Sequence, residues 1–385
     1  MELRAIHNFS PYMKILVDPQ TYNEQKFGGI SRYHTELYLE YQKTKDIQII
    51  CPILFSDNLH LKEASFFQSF RNTIFESKLI PKFIRKKIIK LYKKKNINAT
   101  IEALEEGNFD VLMPTYYNPY FLEKLNGKPY VLTLHDMIHE LFPHYFTRDL
   151  HTVKNKKLLL ENATKVIAVS QNTKKDILKI YPHIDSTKIE VVYLSHSVKT
   201  TQNAKVNLPK EYVLFVGNRK NYKNFIFFLN AVAPILKAYP KLFVVAAGGN
   251  KFTKDEQQLI RKLGVSNQIL HQNFEDLELA AYYSQAKCFV FPSEYEGFGI
   301  PVLESMACGC PIVLANHSSF PEVAGEAGVY FELNNESDLK NKILKLIEDN
   351  DFRVKHIQMG LQQAQKFSWK KTASECLDVY KKAIV

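Results

Sequence analysis

Short apolar runs alternate along this chain with longer stretches whose apolar positions recur at helical spacing. Residues 13–17, 47–53, 111–113, 130–134, 166–169 and 189–194 read as strands of a first half. Residues 212–216, 242–247, 268–270, 287–291, 312–314 and 329–331 read as strands of a second. Continuous apolar runs of this kind predict strands covered on both faces, and strands interleaved with helices predict parallel sheets. Helices are predicted over 33–41, 225–237, 338–347 and 351–367, with a last one beyond Trp369. The polar stretch 195–211 is the candidate linker. At 385 residues the chain is long for one core and natural for two.

Among the strand ends that carry glycine, two stand out. After the first strand, Phe27-Gly28-Gly29-Ile30-Ser31-Arg32 leads into a helix, the phosphate-facing start of a doubly wound domain, although a tight turn alone also calls for glycine. The second lies in FPSEYEGFGIPVLESMACGCP, 291–311, where a strand stops at Pro292, Gly297 and Gly299 form a loop, and Pro301 opens a helix. Free N–H groups at that helix start, around Gly299 and Ile300, could receive an anion such as a phosphate. Glu296 and Glu304 flank the loop, and a carboxylate can accept two hydrogen bonds from a vicinal diol. Together these features suit a sugar phosphate. In the plainer reading, Glu304 only favours the helix dipole and Glu296 is solvated.

Net charge is +11, and it is concentrated in 78–95, KLIPKFIRKKIIKLYKKK, with nine Lys/Arg and no acid. Ile80, Ile84, Ile88 and Leu91 fall at helical spacing. Such a helix either lies on an anionic membrane or packs its apolar stripe on the domain with lysines outside. Nucleic acid is not expected as a partner, since no reader module is recognisable. Cysteines 51, 288, 308, 310 and 376 have neither disulfide nor zinc spacing, and a reducing, cytoplasmic setting is expected. The amino-terminal stretch has no signal-peptide core, and no apolar run of about 18 residues occurs, so neither secretion nor membrane spanning is expected.

The run Glu-Gly-Phe-Gly-Ile-Pro, then Leu-Glu-Ser-Met-Ala-Cys-Gly-Cys-Pro, resembles the Glu-x7-Glu signature of retaining, family 4 glycosyltransferases of the GT-B fold. Ser318-Ser319-Phe320-Pro321-Glu322-Val323 is similar to the segment that follows it there. The resemblance implies an α/β architecture of two facing Rossmann-like domains, 1–197 and 198–367, with a crossover helix, 368–385, returning to the first. It implies a nucleotide-sugar donor bound by Gly28, Gly29, Arg219, Lys223, Glu296, Gly297, Phe298, Gly299, Ile300 and Glu304. Arg219 and Lys223 would neutralise the diphosphate, Glu304 the ribose side and Glu296 the sugar hydroxyls. His135, in Thr-Leu-His-Asp at a strand end, would meet the sugar; read without the resemblance it is a structural histidine. The catalytic set is then Glu296, His135, Arg219 and Lys223.

The implied activity is retaining transfer of a hexose to a glycan or lipid-linked acceptor in cell-surface polysaccharide synthesis, without cofactor or required metal. The membrane reading of 78–95 would place it at the inner face of the cytoplasmic membrane. The one Asp-x-Asp, 349–351, falls between helices and reads as a helix boundary. The rival functions are a nucleotide-sugar epimerase or hydrolase on the same scaffold, and a non-catalytic membrane-associated binding subunit.

Overall fold

The computed structural model describes residues 12–64, 81–147, 149–199, 206–219 and 221–385. The first half contributes β1 (Met13–Val17), β2 (Ile47–Ile50), β3 (Val111–Met113), β4 (Val131–Leu134), β5 (Lys165–Ala168) and β6 (Ile189–Val191). They pair in parallel in the orders β2-β1-β3 and β4-β5-β6, and a parallel bridge from Leu112 to Tyr130 joins the two sets. The second half contributes β7 (Tyr212–Val216), β8 (Phe243–Ala247), β9 (Ile269–Gln272), β10 (Cys288–Phe291), β11 (Ile312–Ala315) and β12 (Gly328–Phe331). Their order is β12-β11-β10-β7-β8-β9, all parallel. Both halves are therefore doubly wound, and each has a point where strand order reverses and a crevice opens at the carboxyl ends of the strands.

The strands are short because the chain leaves the sheet soon after its last apolar residue. The run predicted to reach 53 stops at Ile50, because the Ile53 N–H turns back to the Cys51 carbonyl at 2.8 Å. In the second half the strands are sealed on both faces, with every residue of β7, β10 and β11 buried.

The helix Trp369–Ile384 packs against the first half. Tyr41 Oη donates to the Ala373 carbonyl at 3.4 Å, and the Tyr380 hydroxyl lies 2.8 Å from Met113 Sδ beneath β3. Two facing Rossmann-like domains with a returning terminal helix make this a GT-B fold.

The basic stretch forms part of one long helix, Lys82–Glu106, ended by Gly107 at φ +66°. Residues 78–80 lie outside the described residues. The helix is anchored by its second half, where Asn96, Thr100 and Leu104 are buried one turn apart. Asn96 Oδ1 accepts the N–H of Leu54 and its Nδ2 donates to the Asn23 side chain, both at 2.8 Å. The apolar stripe packs on the domain only in part: the Tyr92 ring lies 5.2 Å from that of Phe55 and Ile88 is half-buried, whereas Phe83, Ile84 and Leu91 are exposed. Among the described residues, no helix is long and apolar enough to cross a membrane.

Candidate active site

The strand order of the second domain reverses between β7 and β10, so the loops after these two strands face each other. Lys223 stands on the first loop and Glu296 on the second, and Lys223 Nζ meets Glu296 Oε1 at 2.5 Å. Burial alone would lower the ammonium's pKa, but the Glu296 carboxylate, with Tyr222 and Asp136 adding to it, holds Lys223 above its ordinary value. The pair is sheltered yet not sealed, with side chains 19% and 15% exposed.

Arg219 lies deeper on the same β7 loop. Its Nε donates to Glu256 at 3.1 Å and its Nη1 to the Gly248 carbonyl at 3.1 Å, while Nη2 meets the Asn250 carbonyl. The guanidinium also lies beside the rings of Phe252 and Phe225, 4.8 and 5.6 Å from their centroids. Arg219 is thus a fixed buried cation, whereas Lys223 is held by a partner that a ligand could replace.

The loop after β10 ends at Gly299, φ +91°, which caps the helix Ile300–Ala307. A side chain there would be strained, so glycine sets the turn from which the helix start points into the crevice. Glu304 sits one turn in and accepts from Tyr283 Oη at 3.2 Å. Burial pushes its carboxyl up to about 7 despite that hydrogen bond. Phe298 is buried against Tyr193 and Phe367, anchoring the loop rather than facing solvent.

The first domain closes the other side of the cleft. Gly29 begins the helix Gly29–Tyr41, and a Cβ placed on it would lie 3.8 Å from Ile300 Cδ1 of the second domain. The Gly28 N–H points to His60 Nε2 at 3.4 Å. His135, at the end of β4, has an Nε2 that is buried without a hydrogen-bond partner. Its ring stands edge-on to Tyr33 and His34, and burial lowers its pKa to about 4, so it is neutral at physiological pH. Gly297, which its motif assigns to the donor loop, also lies at the contact between the domains. A Cβ there would fall 1.7 Å from the His135 carbonyl oxygen, so this glycine lets the two domains touch.

Several residues of the site carried no signal in the sequence. Arg32, just past Gly28-Gly29, forms an ion pair with Asp276 across the cleft and has Glu36 and Glu63 at 3.8 and 3.7 Å. His60, Glu63 and Asp276 could share a cation, but Arg32 already stands among them with a positive charge. Only the closeness of Arg32 to the glycine pair could have drawn attention to it. Asp349, of the Asp-x-Asp, accepts the Phe352 N–H at 2.9 Å and caps the helix Asn350–Ala364. A surface hollow of about 900 Å³, lined by Leu208, Lys241 and Lys287 among others, lies at the amino ends of β7, β8 and β10 and along β9, away from these loops.

Known proteins agree with this architecture. Residues 27–195 match the family model of Glycosyltransferase Family 4, and residues 198–363 match that of Glycosyl transferases group 1. The chain belongs to this family of GT-B glycosyltransferases. It is 27% identical over 282 residues to the O-antigen chain mannosyltransferase B of Escherichia coli, covering 70% of this chain and 73% of that protein. It is 29% identical over 236 residues to the serotype-specific mannosyltransferase WbdA of Escherichia coli, covering 57% of this chain and 29% of that much longer protein. In fold it is similar to a sucrose-phosphate synthase from Thermosynechococcus elongatus, with a TM-score of 0.72 at 18% identity over 96% of this chain and 98% of that one. It is also similar to Anabaena HepE, solved with UDP and glucose, at a TM-score of 0.68 and 17% identity over 95% and 98% of the two chains.

Proposed function

We propose that this glycosyltransferase moves a hexose, mannose by analogy with the O-antigen relatives, from a nucleotide sugar to a glycan or lipid-linked acceptor in surface polysaccharide assembly. The observation that carries the reading is the Lys223–Glu296 pair, set where the β7 and β10 loops face each other, on a loop whose Gly297 and Ile300 meet His135 and Gly29 of the first domain. A diphosphate would draw Lys223 towards itself, with the helix start at Gly299 and Ile300 below it and the fixed charge of Arg219 behind. These positive groups favour the charge that grows on the leaving group, which is where electrostatic stabilisation accelerates the reaction.

Glu304 then accepts from ribose hydroxyls and Glu296 from sugar hydroxyls, while the unpartnered Nε2 of neutral His135 is available to the sugar. The bond from the anomeric carbon to phosphate breaks, the acceptor oxygen bonds to that carbon on the same face, and its proton goes to the departing phosphate. No metal is required in this scheme, because protein cations already flank the phosphate position. Exposed Phe83 and Leu91 among the lysines of Lys82–Glu106 support peripheral contact with an anionic membrane at the cytoplasmic face.

A panel of nucleotide sugars, assayed with membrane lipid extract and excess chelator, tests the reading. A nucleotide-mannose donor should yield a glycosylated lipid or glycan with unchanged anomeric configuration. Donor consumption that is indifferent to acceptor would instead point to the hydrolase or epimerase alternative, and activity restored only by magnesium or manganese would overturn metal independence.

A further inference from the structure

The peptide of Glu296 is gripped from a segment that no motif reading assigns a role. Ser318 has a left-handed backbone, φ +58°, which a serine adopts only when its surroundings compel it. In that conformation its hydroxyl accepts the Glu296 N–H at 3.2 Å and donates to the Glu296 carbonyl at 2.6 Å. The buried Ser319 hydroxyl reaches the carbonyls of Glu296 and Phe298 at 2.9 and 3.0 Å.

Three residues further on, Glu322 crosses to the first domain. Its carboxylate accepts the N–H groups of Gln171 and Asn172, at 2.8 and 3.0 Å, which begin the helix Gln171–Ile180. Helix-start N–H groups have no partner within the helix, and the helix dipole adds to their attraction for a carboxylate. The same helix touches both flanks of the Glu296 loop. Thr173 Oγ1 donates to the Gly297 carbonyl at 3.2 Å, and Asp176 accepts from Tyr295 Oη at 2.8 Å. Glu296 is therefore bracketed by contacts that exist only while this helix of the first domain is docked.

We propose that Ser318 and Glu322 are positioning residues that make the placement of Glu296 conditional on domain closure: Glu322 engages the start of the helix Gln171–Ile180, and Ser318 passes that constraint to the Glu296 peptide. With the domains apart, the bonds of Glu322, Thr173 and Asp176 are all lost, and the loop keeps only contacts within its own domain, those of the two serines and the Lys223–Glu296 pair among them. The proposal rests on the reading of Glu296 as the carboxylate that meets the transferred sugar.

The test is a double-mutant cycle in kcat, with KM, calorimetry of free nucleoside diphosphate and melting temperature recorded beside it. Glu322→Ala should lower kcat by about tenfold or more and leave diphosphate affinity within about twofold, with Glu322→Gln, which keeps one acceptor oxygen but sets an N–H against the second helix-start N–H, recovering only part of the loss. In a Glu296→Gln background the same change should alter kcat by less than about twofold, since a positioning residue has nothing left to position. Ser318→Ala, run through the same cycle, gives a second reading if Glu322→Ala folds poorly. An equal loss of kcat in both backgrounds, a parallel fall in diphosphate affinity, or no effect would overturn the proposal. Normal turnover in Glu296→Gln alone would overturn the role of Glu296 itself, and is distinguished because it appears in the single variant.

Discussion

Lys223 and Glu296 are bound to each other at 2.5 Å, although each is suited to a different end of a nucleotide-sugar diphosphate. The two roles are therefore coupled. A diphosphate must compete with Glu296 for the ammonium, and its success frees the carboxylate for hydroxyl groups.

Glu296→Gln removes that competitor while keeping the side chain's volume. Free nucleoside diphosphate should bind the variant at least as tightly as the parent, and turnover should fall by about 10²-fold, the scale of losing one preorganised electrostatic contact. Lys223→Ala should weaken the diphosphate by roughly 10- to 100-fold, since hydrogen bonds to charged groups contribute about 1.5–3 kcal/mol. Calorimetry measures both. Substantially weaker binding by Glu296→Gln would mean that Glu296 holds Lys223 in place for the phosphate.

Glu304 should give donor binding a pH dependence. Its carboxyl is raised to about 7 by burial, so near pH 6 it is mostly protonated and cannot accept from two ribose hydroxyls. Donor affinity should rise as pH increases through about 7, and Glu304→Gln should flatten that rise. Stability of the empty protein runs the other way. The folded chain keeps a proton that the unfolded chain releases at lower pH, so this group's contribution is present in acid and lost as pH climbs to about 7. Melting curves and binding isotherms across pH 5.5 to pH 8.5, taken on both proteins, check the two slopes.

Gly297 and Gly29 should respond differently to alanine. At 297 the added Cβ meets the His135 carbonyl oxygen at 1.7 Å, a backbone clash that only a shift of one domain can relieve. Gly297→Ala should abolish transfer and lower the melting temperature, a loss of a few kcal/mol being typical of enforced overpacking. At 29 the added atom finds Ile300 Cδ1 at an ordinary 3.8 Å, and Gly29→Ala should keep most activity. Equal behaviour of the two variants would refute the contact between domains at Gly297.

The exposed half of the helix Lys82–Glu106 should bind anionic vesicles. Changing lysines 86, 87, 90, 93 and 94 to glutamine should weaken binding, each basic residue near such a surface contributing about 1 kcal/mol. Phe83→Ser with Leu91→Ser should weaken it further, because both rise out of the helix into solvent. Cosedimentation with vesicles containing phosphatidylserine measures this, and unchanged binding in both sets would remove the membrane from the picture.

Most of the architecture was legible because its strands are unbroken apolar runs between breakers, a pattern that parallel sheets impose directly. Strand ends were less so: nothing in Cys51-Pro52-Ile53 says that the chain turns before its apolar run ends. The Glu-x7-Glu loop was legible as a local motif, whereas its partners were not. Asp276 and Tyr283 are ordinary surface or core residue types until the fold brings them beside Arg32 and Glu304, and Glu322, although it stands in the segment similar to the family's, gives no sign of its partner Gln171. Gly297 shows the limit most clearly, since its spacing resembles a ligand loop and says nothing of the His135 carbonyl that the other domain places against it. The basic helix left two readings open because burial, not periodicity, decides which side of a stripe is covered.

The terminal helix Trp369–Ile384 also bears on how the molecule is made. Cys376 and Tyr380 are buried beside Tyr33, Tyr41 and Met113, more than three hundred residues earlier in the case of Tyr33. The first domain thus cannot finish its interior while the second is still being synthesised. Tyr33, Tyr41 and Met113 must wait, uncovered, until the ribosome has passed position 380. Loop-closure entropy makes such distant contacts late to form, and uncovered apolar surface during that delay invites association with other chains. For this protein the order of synthesis is not the order of folding, and trimming the chain before residue 369 should remove part of the first domain's core rather than a dispensable tail.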